Sequence, residues 1–174
     1  GMETTRILHM FGPLYQNAYA PSDLDNAWSI AYSGIMPDVR ALEAVAEEQG
    51  LYTHLAIGQL AEAYTITTLV DYLGDIPYSE SNDGESFNPV ADSGASIYAN
   101  MLSLIDSAIN NLNAEESRLP TKDFYYGGDE GKWIKFANTL KLKIYVQSRL
   151  VNEIESVNGI NAILATGNYI QSSS

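Results

Sequence analysis

The chain has 174 residues, 45% of them hydrophobic, a net charge of −13 and no cysteine. That length and apolar content support one domain with a real core rather than a disordered tail. The charge argues against nucleic acid or anionic lipid as a direct partner, and the missing thiols exclude disulfides, cysteine nucleophiles and cysteine-ligated metals.

Residues 1–21 have little periodicity. Phe11-Gly-Pro-Leu-Tyr15 and Tyr19-Ala-Pro21 are turn-rich and aromatic, so this stretch reads as an irregular arm, with room for a short helix around residues 4–10. Gly1-Met2 reads as a tag remnant, no signal peptide is visible, and no apolar run is long enough to span a bilayer. Residues 22–174 read as one helical domain. Ser22-Asp-Leu-Asp25 has a capping-box pattern, a hydroxyl followed three residues later by a carboxylate. Trp28, Tyr32, Ile35, Val39, Leu42 and Ala46 then recur at spacings of 4, 3, 4, 3 and 4, straight through Pro37. The spacing predicts one kinked helix over about 25–48, ended by Gly50.

The next stretch organises the chain. Leu55, Ile57, Leu60, Ala61, Tyr64, Ile66, Leu69, Val70 and Leu73 spread around most of a helical wheel, which predicts a central helix wrapped by its neighbours. Gly74 and Pro77 stop it, and Asp75 is placed to bond amides of its own turn. A polar loop follows to Ala91, with Asp92 or Ser93 as the next cap. Ile97, Tyr98, Met101, Leu102, Ile105, Ala108, Ile109 and Leu112 make the cleanest amphipathic helix. A second loop leads to Asp129, the expected cap of a helix over about 132–150 with Trp133, Phe136, Ala137, Leu140 and Ile144 on its core face. Five of the nine basic residues lie on that helix: Lys132, Lys135, Lys141, Lys143 and Arg149. Lys132, Lys135, Thr139 and Lys143 line one solvated side. A last helix over about 153–165 closes at Gly167, with Asn158-Gly159 weakening its middle. No stretch alternates like a strand. The fold class is all-α, about five main helices arranged as TPR-like antiparallel hairpins.

Catalytic patterns fail. There is no Gly-x-Ser-x-Gly elbow, and His9 and His54 are far apart with no metal-ligand spacing. Gly127-Gly128-Asp-Glu-Gly131 follows no strand and carries two acids, so it reads as a turn into a helix rather than a phosphate loop. Asn82-Asp83-Gly84-Glu85 fails as an EF-hand loop, because Val90 stands at its twelfth position. An irregular calcium site at Asp71, Asp75 or Asp83 stays open as an alternative. Asn138 interrupts an apolar stretch and is expected to bond a neighbouring loop or helix end. No cofactor, metal or catalytic residue is expected.

Four short motifs carry a resemblance. Tyr72-Leu-Gly-Asp-Ile-Pro-Tyr-Ser79, Phe87-Asn-Pro-Val-Ala-Asp-Ser with Ile97-Tyr98, Asp123-Phe-Tyr-Tyr-Gly-Gly-Asp129 and Lys132-Trp-Ile-Lys-Phe-Ala-Asn-Thr-Leu-Lys-Leu142 stand in this order. Together they resemble the SusD/RagB-like outer-membrane lipoproteins, in the branch with a GDIPYS turn and a KWxKFANSLKLR helix. Thr139 stands where serine is usual, Lys143 where arginine is usual, and Tyr145-Val-Gln-Ser replaces the family's usual continuation. Gly74, Asp75, Pro77, Trp133 and Asn138 fall on these motifs and are expected to be structural. The resemblance implies a longer protein, of which this chain is an N-terminal fragment or a truncated member. It implies a lipid anchor at the cell surface, contact with a SusC-like TonB-dependent transporter, capture of oligosaccharide or another nutrient, and no enzyme activity.

Twelve tyrosines against two tryptophans and four phenylalanines suit a wet sugar-binding surface, while the simpler reading of any one tyrosine is that it fills a helix seam with its hydroxyl at the rim. The candidate ligand residues are Tyr15, Asn17, Tyr19, Asp25 and Trp28, with Tyr125 and Tyr126 second. The alternative makes Trp28 a core anchor and Tyr15 and Tyr19 packing residues. The alternative function is a TPR-like protein-interaction scaffold with no saccharide site of its own.

Overall fold

The computed structural model describes residues 21–172 apart from Asp83, Glu85 and Glu116. Its helices are α1 (Asp25–Ser29), α2 (Met36–Gln49), α3 (Tyr52–Leu73), α4 (Gly94–Leu112), α5 (Glu130–Ser148) and α6 (Glu153–Thr166). Each of α2 to α5 packs on the next helix in sequence, and α3 also touches α5.

The helical backbone does run through Pro37, but the irregularity takes the form of a π segment over Ile30–Ile35 between α1 and α2. The Met36 amide bonds Ala31 O, five residues back. A proline ring crowds the carbonyl four residues before it and donates nothing. The wider π turn falls just ahead of Pro37, which then sits in the first turn of α2, where a missing N–H costs little. The expected capping box does not form. Pro21–Leu24 is already a 3-10 turn, and Leu24 precedes α1 with no side-chain cap. Gly50, at φ 64°, ends α2 as expected.

Helix α3 is the spine, but it is not wrapped on all sides. Leu60, Ala63 and Ile66 are fully buried against α4 and α5 residues such as Ile97, Met101, Ile105, Ala137 and Ile144. Ala61, Tyr64 and Leu73 instead face solvent. The converse surprise is Glu62, whose side chain is 0% exposed. Arg40 grips it with two bonds of 2.8 and 3.1 Å, and the Tyr78 hydroxyl donates at 2.9 Å. A buried carboxylate persists only when both oxygens are partnered this way. Burial, then the Glu62 charge, pushes the Tyr78 phenol well above its ordinary value.

Gly74 ends α3 at φ 78°, ψ −114°, a conformation that a side chain strains. Two short strands follow, contrary to the strand-free expectation: β1 (Ile76–Pro77) pairs antiparallel with β2 (Ala91–Asp92). Two residues each give no alternation to read. Asp75 accepts from the Gly94 amide at 2.9 Å, so it ties the α3 stop to the start of α4 rather than to its own turn. Asp92 holds the Tyr78 and Ser79 amides, at 2.9 and 2.7 Å, and the Ser79 hydroxyl. The Ser79 amide outweighs burial and holds the Asp92 carboxyl below its usual range. Ser93 caps α4 and Asp129 caps α5, both as expected. Asn138 donates to Asn168 O at 2.8 Å, just past α6, which is the loop contact expected of it. Helix α6 runs unbroken through Asn158-Gly159. A Cβ at Gly159 would lie 2.3 Å from the Tyr145 ring, so the glycine admits that ring between α5 and α6.

Candidate functional site

The turn before α5 is built around one carboxylate. Asp123 Oδ1 accepts from the Tyr125 and Tyr126 amides at 2.9 and 3.2 Å. Oδ2 accepts from the Gly128 amide at 2.9 Å and from the Trp133 indole at 2.7 Å. Gly127 and Gly128, at φ 65° and 82°, let the chain curl around that acid. Burial pulls the Asp123 carboxyl upward. The Gly128 amide, the Trp133 indole and the two tyrosine amides outweigh it, and its pKa is lowered to about 2.

This anchored turn presents aromatic rings. Tyr125 and Tyr126 stand edge-on to Trp133, with centroids 6.2 and 4.9 Å away, and Phe136 meets its other side at 5.6 Å. Across from them, half-buried Ile57 and exposed Ala61 and Tyr64 form one stripe of α3, at spacings of 4 and 3. The two walls enclose an open hollow of about 420 Å³. Tyr125 is 83% exposed and Tyr64 52% exposed, so both side chains reach solvent at the hollow. Lys143 Nζ lies 5.7 Å from the Tyr64 ring centroid and pairs with Asp71 at 2.8 Å. The arrangement can stack flat apolar rings and offer hydroxyls at the rim.

The other predicted group divides. Asp25 and Trp28 share a second hollow of about 400 Å³ with Leu24, Leu73, Asp75 and Ile76. Trp28 is neither a core anchor nor a free platform: it is 37% exposed and packs on Tyr32, centroids 4.8 Å apart. Burial, then Asp92, raises the Tyr32 phenol to about 12, and its hydroxyl donates to Pro77 O at 2.5 Å. Tyr15, Asn17 and Tyr19 lie outside the described residues. Tyr125 and Tyr126 sit at the first hollow, which lies along α3 from the second by roughly 9–16 residues, or about 13–24 Å. The two groups therefore do not form one site.

Sequence reading placed Tyr64 in the core, where it is exposed, and missed Asp123 as the organiser, while Ile57 is partly buried against the core as expected. The only available signal was the Asp-x-Tyr-Tyr-Gly-Gly spacing. Of the calcium candidates, Asp71 holds Lys143 and the Tyr98 hydroxyl, Asp75 holds the Gly94 amide, and Asp83 is outside the described residues. Among the described residues no group of three acids or histidines is arranged to hold a metal, and no helix is long and apolar enough to cross a membrane.

Residues 11–173 match the family described as SusD-like, starch-binding and associating with the outer membrane. The chain belongs to the SusD-like family. It is similar to a SusD/RagB family protein from Bacteroides thetaiotaomicron, 26% identical with a TM-score of 0.73, covering 88% of this chain and 32% of that one. A SusD-like protein from the same species is 25% identical, TM-score 0.75, with 90% of this chain and 32% of the other covered. A chitin-binding SusD homolog from Flavobacterium johnsoniae shares the fold at 19% identity and a TM-score of 0.69, over 82% of this chain and 30% of that one. No curated protein matches the chain. The SusD-like chain thus spans about a third of the length of these solved structures.

Proposed function

We propose that this chain is part of a non-catalytic glycan-binding protein at the outer-membrane surface, held there by a lipid anchor and working beside a SusC-like TonB-dependent transporter. The observation that carries the binding reading is the aromatic hollow between α3 and α5. Exposed Tyr125 and Tyr64 flank it, and Trp133 and Phe136 back it. Pyranose rings have flat C–H faces that stack on such side chains, and the tyrosine hydroxyls suit their polar rims. Family membership supports the same reading. The hollow at Asp25 and Trp28 has, among the described residues, one aromatic side chain and is the weaker candidate.

Isothermal titration with maltoheptaose and chitohexaose, on the parent and on Tyr125→Ala and Tyr64→Ala, tests this. Loss of about tenfold or more in affinity is expected from either variant. Absence of binding to any saccharide in a broad panel would sink the reading.

A second reading rests on a different surface. Leu150, Val151 and Ile154, at the junction of α5 and α6, are 85%, 85% and 78% exposed. Adjacent apolar residues this open favour a protein contact, as the scaffold alternative requires. Retained capture of a purified transporter by a chain that binds no glycan would favour it.

A further inference from the structure

The aromatic hollow has a neighbour. Tyr126 also lines a second cavity, of about 350 Å³, between the start of α5 and the segment after α6. Its other principal walls are Lys132, Lys135, Tyr169 and Gln171. That segment is fastened to α5 by two bonds, Asn138 Nδ2 to Asn168 O at 2.8 Å and the Ile170 amide to Thr139 Oγ1 at 2.9 Å. Gln171 donates back to Gly167 O at 3.2 Å. The cavity is therefore a built recess that shares one wall with the aromatic shelf.

Its charge runs against the rest of the molecule. The chain carries 22 acids and 9 bases, so a basic side chain has an excess of possible partners. Arg40, Lys141 and Lys143 take them, from Glu62, Asp106 and Asp71, while Arg118, Lys122 and Arg149 form no ion pair among the described residues but do not line this recess. Lys132 and Lys135, one helical turn apart and both exposed, have no carboxylate partner among the described residues. The acids nearest in sequence are committed elsewhere. Asp129 caps the Lys132 amide, Glu130 accepts from the Thr53 hydroxyl at 2.6 Å, and Asp123 holds its four donors. Two ammonium groups with no ion-pair partner among the described residues thus line a recess whose other polar groups include a tyrosine hydroxyl and an amide.

We propose that the two cavities act as one site for an anionic oligosaccharide. A sugar ring stacks on exposed Tyr125, with Tyr126 and Trp133 behind it, and a carboxylate or sulfate on the next residue sits between Lys132 and Lys135. This rests on the glycan-binding reading above and adds the ligand class. A chain of net charge −13 repels an acidic glycan at long range, so recognition of one needs a local positive spot of this kind. The contact is solvent-exposed, so its strength falls as salt shortens the screening length.

The test uses matched pairs on the intact chain: oligogalacturonate against its methyl ester, and chondroitin sulfate hexasaccharide against its desulfated form. The acidic member of at least one pair is expected to bind about tenfold more tightly, and the pair that responds separates carboxylate from sulfate. The Lys132→Gln/Lys135→Gln double variant should erase that difference while leaving the neutral partner's affinity and the melting temperature unchanged. Tyr125→Ala should weaken both members. If acidic and neutral members bind alike, or the double variant changes nothing, the anionic assignment is overturned while glycan binding stands. If no saccharide of either kind binds, both readings fall.

Discussion

Asp123→Asn is the most informative single change. An aspartate offers two acceptor oxygens, and both are used twice. An asparagine offers one oxygen and an NH2 group. If the oxygen keeps the Gly128 amide and the Trp133 indole, the NH2 faces the Tyr125 and Tyr126 amides. The opposite rotamer strands Trp133, which is only 6% exposed. Either way two donors lose their ionised acceptor and the other two keep only a neutral one. Such bonds contribute about 1.5–3 kcal/mol each, and partial solvation of the turn reduces that, so the expected destabilisation is about 2–3 kcal/mol. Urea unfolding followed by circular dichroism gives the equilibrium value. Emission in a Trp28→Phe background reports Trp133 alone, since the chain has two tryptophans. A change below about 0.5 kcal/mol with unchanged Trp133 emission would refute the four-donor geometry. The pH dependence provides a second check. The folded pKa, about 2, lies below the ordinary aspartate value of 3.8. The Asp123 contribution is therefore fully present above about pH 4 and is lost as pH falls towards 2. The parent should lose more stability across that window than the asparagine variant.

The other predictions concern the scaffold. Arg40→Met leaves Glu62 buried with only the Tyr78 hydroxyl, and should cost about 3–5 kcal/mol at neutral pH, read by urea unfolding. The double change Arg40→Met/Glu62→Met should recover most of that loss, because no charge is left buried. Gly159→Ala places a methyl against the Tyr145 ring. Overpacking should outweigh the better helix propensity and lower stability by about 1–2 kcal/mol, and adding Tyr145→Leu should reverse the sign.

The helices were legible because their signals are local. Apolar spacing marked α4 and α5, glycines marked the ends of α2, α3 and α6, and Ser93 and Asp129 marked two starts. Asn138 stood out as a polar residue in an apolar run, and its bond to Asn168 O follows from that. Burial of specific side chains was not legible. Glu62 looks like any surface acid in a helix, and only the approach of Arg40 and Tyr78 from distant parts of the chain makes its burial tolerable. Tyr64 looks like core, yet its ring stays half exposed, with the Lys143 side chain of α5 beside it. Asp123 and Trp133 are ten residues apart, and the bond between them exists because two left-handed glycines curl the turn back. Local sequence therefore determined which stretches are helical and where they stop. The tertiary structure alone decided which faces stayed open, because exposure depends on what packs opposite, and that is a property of the whole chain.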